Sequence, residues 1–184
     1  MADAMTHLLE RFLPGASLLI ATMVGALAGS DAAGSIGGAL GQHTSLGVVL
    51  PLAVVHAWTL WRPGCLPAIV VFCAGLLADA LTAGPLGYWP LVYLSGLVLA
   101  HGTAARVPAP SMRTAWLLFA GFAFVCGVTA WTIASLYQFR LVGWQTLLWP
   151  VAAVAAGYPV PAWVVLWLAR WIEGGEGFRG TAIE

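Results

Sequence analysis

The chain has 184 residues, of which 7 are basic and 7 acidic, so charged residues make up 8% and the formal net charge is zero. A soluble domain usually carries about 25% charged residues. With 61% hydrophobic residues and a mean hydropathy of +0.91, this chain cannot cover a water-facing surface. A soluble enzyme and a disordered tail are excluded, and so is a nucleic-acid binder, because no basic stripe exists to neutralise phosphates. What remains is an integral membrane protein. At roughly 20 apolar residues per span, the length admits about five to seven helices in one bundle.

Breaker residues divide the chain into six predicted spans. The first covers 12–28. It has the look of a secretory leader, but Asp3 and Glu10 precede it and five further apolar runs follow, so it is read as a retained helix. A Gly- and Ala-rich stretch, 29–44, is expected to form a loop or a weak re-entrant piece. The second span, 45–61, stops at Arg62-Pro63-Gly64, and the third covers 65–81. Ala83-Gly84-Pro85 turns the chain directly into the fourth, 86–101. A polar break with Pro108 and Pro110 precedes the fifth, 114–137. The sixth, 144–171, is longer than a ~30 Å core requires, and Pro150, Pro159 and Pro161 are expected to kink or interrupt it. A polar tail is expected from Glu173 onward.

All seven basic residues are arginine. With six spans, Arg11, Arg62, Arg106, Arg113, Arg170 and Arg179 fall on one side and Arg140 alone on the other. Cytoplasmic loops carry the positive excess, so both termini are expected inside. Tryptophan marks the same boundaries: Trp58, Trp61, Trp89, Trp116, Trp144, Trp167 and Trp171 are expected at headgroup level. Trp149 and Trp163 are expected deeper, as packing residues.

Few side chains in the spans could carry chemistry. Asp79, near the outer end of the third span, has two readings. It is either a proton, cation or partner-helix site, or a carboxylate accepting N–H groups from the turn at 82–87 and the start of the next helix. His56 is expected to bond a neighbouring helix, and His101 to sit at the interface. Cys65, Cys73 and Cys126 form no C-x-x-C pair and are read as small membrane-buried side chains. No H-E-x-x-H, G-x-S-x-G or Walker motif occurs, so no enzyme activity, cofactor or metal is expected. Ala21, Gly25 and Gly29 recur every four residues and give the first helix a smooth face, either for packing inside the bundle or for docking a partner's helix.

Phe72, Gly75, Asp79, Leu86 and Gly87, preceded by the break Trp61-Arg62-Pro63-Gly64, form a stretch that resembles the MreD family of bacterial rod shape-determining membrane proteins. In that family a Gly-rich third span ends in Asp and is followed by a short turn and a Leu-Gly step. The resemblance implies an all-α bundle of six transmembrane helices, similar to the substrate-binding components of energy-coupling-factor transporters. It further implies a non-catalytic scaffold in the inner membrane that binds the transmembrane helix of MreC and, through it, MreB, RodA and a class B penicillin-binding protein. The alternative is a vitamin-binding component of an energy-coupling-factor-type transporter, with its ligand near Asp79 and the first outer loop.

Overall fold

The computed structural model describes residues 12–26, 46–82, 85–107, 110–137, 139, 143, 151–152 and 155–177. Among these the fold is all-α, as expected. The six main helices are α1 Phe12–Ala26, α2 Leu46–Trp61, α3 Ala68–Thr82, α4 Tyr88–Arg106, α5 Met112–Tyr137 and α6 Pro159–Gly177.

The centre of the fold is α2. Every residue from Pro51 to Leu60 is buried, on all sides of the helix, as suits a helix that is hydrophobic all round. It packs against α4, α5 and α6, and α4 in turn packs against α3 and α5. The flanking helices bury single stripes at helical spacing. These are Val71, Ala74, Gly75, Ala78 and Asp79 on α3, and Ala115, Phe119, Phe122, Ala123 and Cys126 on α5. Short connections at 62–67, 83–87 and 107–111 make successive helices from α2 to α5 run in alternating directions. Arg62, Arg106 and Arg113 therefore lie at one end of this group, and Asp79 lies at the other.

The outward faces are apolar. Ile69, Leu91, Val98, Leu117 and Val160, spread over α3, α4, α5 and α6, are all more than half exposed. One helix, α5, is long and apolar enough to cross a membrane, and only 22% of its apolar stretch is buried, unlike the core helix of a soluble protein. These features mark a membrane protein. Of the other expected spans, α1 and α3 are apolar but shorter, and so is Leu50–Trp61 within α2. Their expected lengths counted flanking residues that lie outside the described helices or in turns, such as Cys65 to Pro67 before α3.

The sixth span is interrupted, as its prolines led one to expect. Residues 155–157 form a helical turn that ends at Tyr158, and α6 begins anew at Pro159. Pro159 and Pro161 both sit in its first turn, where a missing N–H costs no helical bond. The helix then runs through 173–177, which the sequence suggested as tail.

Two tryptophans are packed in ways the sequence did not suggest. Trp58 is fully buried, and its Nε1 donates to Ser17 Oγ at 2.9 Å, tying α2 to α1. Trp163, expected in the packing, is 65% exposed. Replacing Trp58 by Ala should therefore destabilise the fold by about 3–5 kcal/mol, whereas Trp163→Ala should change it by no more than about 0.5 kcal/mol. Denaturant unfolding in mild detergent measures both, and the reverse ranking would contradict this packing.

Candidate functional site

Three of the residues that carried the family resemblance, Gly75, Asp79 and Gly87, meet at the α3–α4 junction. Asp79 lies in the last turn of α3, where a negative charge is disfavoured by that helix's own dipole. Its position makes sense from the other side of the turn. It is 1% exposed and faces the N-terminus of α4, where Gly87 N–H donates to Oδ2 at 2.6 Å and Trp89 N–H donates to Oδ1 at 3.0 Å.

Each early N–H of α4 is thereby accounted for. Gly87 is the N-cap residue and has no side chain to cap with, so Asp79 caps the helix from eight residues upstream. Tyr88 N–H donates to Pro85 O at 3.2 Å, and Leu91 N–H donates to Gly87 O at 3.2 Å. Between them Pro90 has no N–H to satisfy. Gly87 holds φ 94°, a left-handed conformation that favours glycine. Gly75 is required for a different reason: a Cβ there would stand 2.5 Å from Pro90 Cα and N, so only glycine lets α3 and α4 approach this closely.

Of the five motif residues, Gly75, Asp79 and Gly87 thus form one unit. Phe72 and Leu86 face outward, Leu86 almost fully. Around the unit stand aromatic rings that the sequence did not assign to it. Tyr88 and Trp89 meet edge to face at 4.7 Å between centroids, Trp89 and Tyr93 lie 5.9 Å apart, and Tyr88 Oη donates to Ala130 O of α5 at 3.2 Å. The carboxylate is a fixed acceptor whose oxygens are directed at the backbone. This is the turn-capping role of the two expected from the sequence.

A second polar contact joins the two halves of the chain. His56 Nδ1 and Tyr158 Oη share a hydrogen bond of 2.9 Å in the core, with Phe119 stacked on Tyr158 and Phe122 beside the imidazole. His56 bonds outside its own helix, as expected; its partner, in the turn before α6, was not foreseen. His56 Nε2 has no hydrogen-bond partner.

The remaining expectations divide. Ala21 and Gly25 are buried within the chain's own fold, so at these positions the smooth face of α1 serves internal packing; Gly29 lies outside the described residues, as do the 29–44 loop and Arg140. His101 is exposed and bonds Leu97 O through Nδ1. The three thiols are unpaired. Cys73 is exposed on α3 and Cys126 is buried in the core. Cys65 falls in the α2–α3 connection, where burial pushes its thiol up to about 11 against the opposing influence of Arg62. No cluster of three or more His, Cys, Asp or Glu that could hold a metal occurs among the described residues.

No protein-family model matches the chain, and no solved structure does. An apolipoprotein N-acyltransferase of Pseudomonas syringae pv. tomato is 31% identical over 120 residues, 62% of this chain. The chain spans only 22% of the length of that curated relative.

Asp79→Ala should cost about 1–3 kcal/mol for each of the two amides it orphans. Asp79→Asn, which keeps one acceptor oxygen, should fall between it and the wild type. Gly75→Ala should cost about 1–3 kcal/mol by forcing α3 from Pro90. Unfolding midpoints in detergent rank the three, and an Asp79→Ala variant as stable as wild type would contradict the capping role.

Proposed function

We propose that this protein is an MreD-like scaffold of the bacterial inner membrane. It crosses the membrane six times with both termini cytoplasmic, binds the transmembrane helix of MreC, and supports cell-shape determination and lateral peptidoglycan synthesis without catalysing a reaction. The observation that carries this reading is the α3–α4 junction. Asp79, Gly75 and Gly87, three of the five residues on which the resemblance rests, belong to one unit joined by hydrogen bonds and close packing. The positions of Arg62, Arg106 and Arg113 at the end of the bundle opposite Asp79 support the orientation, with the arginines on the cytoplasmic side. Because Ala21 and Gly25 are used internally, MreC docks on another of the apolar outer faces.

The match to an apolipoprotein N-acyltransferase favours a second reading, in which the chain is a membrane component of acyl transfer. The two are separated by one pair of measurements on the full chain. As a scaffold, the protein co-purifies with MreC from detergent-solubilised membranes and its depletion turns rods into spheres, while no labelled acyl chain passes to an apolipoprotein in proteoliposomes. Retained rod shape on depletion, with no MreC recovered, would contradict the scaffold; acyl transfer would establish the alternative.

A further inference from the structure

An open groove of about 300 Å³ lies between α4 and α5. Leu99 and Thr103 form one wall, Leu117 and Val125 the other, with Gly121 and Phe122 in its lining. Leu117 is 71% exposed, and no atom lies within 4 Å of where a Cβ on Gly121 would stand. Nothing in the described fold fills this depression, and its lining is almost wholly apolar.

Both walls continue into arginine at the same end. On α5, Arg113, Leu117, Gly121 and Val125 recur every four residues and form one ridge. On α4, Leu99, Thr103 and Arg106 follow at spacings of four and three, again one face. Since α4 ends and α5 begins at this end of the bundle, Arg106 and Arg113 both stand about one helical turn beyond the lining at the same end of the groove. Both are exposed. Arg106 uses Nη1 on Gly102 O at 2.7 Å and keeps its other donors, since a guanidinium carries five N–H groups.

We infer that this groove holds an acyl chain of an anionic phospholipid whose phosphate is bound by Arg106 and Arg113. An apolar trough ending in two exposed arginines is complementary to a molecule with a hydrocarbon tail and an anionic head. Arginine suits the phosphate because its planar donors can bond two oxygens at once. A transmembrane helix filling the trough would answer the two arginines only if it carried an acidic group at that depth, whereas an anionic lipid headgroup does so by its chemistry. The inference rests on the bundle's being embedded in a membrane, with α5 crossing it, and is independent of whether MreC is the partner.

Native mass spectrometry of the full chain in mild detergent, titrated with phosphatidylglycerol or phosphatidylcholine, tests it. Phosphatidylglycerol should bind about tenfold more tightly. The double substitution Arg106→Gln with Arg113→Gln should lower phosphatidylglycerol binding by roughly tenfold and phosphatidylcholine, whose choline cation offsets its phosphate, by much less, while Arg106→Lys with Arg113→Lys restores part of the preference. Gly121→Leu, which points into open space and should not disturb folding, should weaken both lipids by occupying the trough. Equal binding of the two lipids by the wild type would overturn the inference, as would a preference that survives the Gln pair. A lipid-free dimer that takes up neither lipid would overturn it in favour of a second copy of the chain. Alkaline washing of membranes keeps the two premises apart: a protein that resists the wash yet shows no lipid preference refutes the lipid site alone, and one that is released refutes the membrane embedding.

Discussion

The junction between α3 and α4 depends on a buried carboxylate that lies against the start of a helix. An acid in the last turn of α3 is unfavourable to α3, and a buried one without partners would be costly. Here the adjoining N-terminus of α4 supplies both N–H donors and the favourable end of a dipole, so the same charge that disfavours one helix stabilises the next. The constraint is geometric as well. The oxygens of Asp79 reach Gly87 and Trp89 only if α3 and α4 lie almost in contact, and that contact exists because Gly75 leaves room for Pro90. Proline in turn is tolerated there because the position needs no N–H. Acid, glycine and proline therefore have to be considered together.

From this hairpin the rest of the packing follows. Helix α4 is held against α3 and carries Gly96 into contact range of Leu52 on α2 and Phe122 and Cys126 on α5, so the junction sets the placement of the helix that contacts most of its neighbours. The central helix α2 is fixed by two further polar contacts, Trp58 to Ser17 on the N-terminal side and His56 to Tyr158 on the C-terminal side. In an apolar solvent, hydrophobic burial gives little direction to helix association, and such hydrogen bonds together with close packing of small residues specify the arrangement instead.

Much of this was legible in the sequence, for identifiable reasons. The scarcity of charge leaves no route to a soluble surface, and the Gly/Pro turn after Asp79 needs an acceptor, which only the nearby acid supplies. His56 had to find a partner because an imidazole in an apolar helix cannot stay unbonded at low cost. That the partner is Tyr158 was not legible, since it depends on how a segment 102 residues away in sequence returns to the core. That Trp58 packs in the core and Trp163 stands outside it was not legible, because indole suits both settings and position along a span does not distinguish them; the facing helix does. Small residues at Ala21 and Gly25 were equally ambiguous, because close packing within a chain and docking of a partner use the same chemistry. The interruption at Tyr158 was foreshadowed by the prolines, which mark where a helix breaks but not which segment continues it.

The central claim, that Asp79 caps α4 and thereby sets the helical hairpin, is tested most directly by amide hydrogen exchange at Gly87 and Trp89 in the detergent-solubilised wild-type protein and in an Asp79→Ala variant. These two amides should be protected in the wild type to a degree approaching that of the buried α2 backbone, and should exchange freely in the variant while α2 stays protected. Rapid exchange of both amides in the wild type, or unchanged protection in the variant, would contradict it.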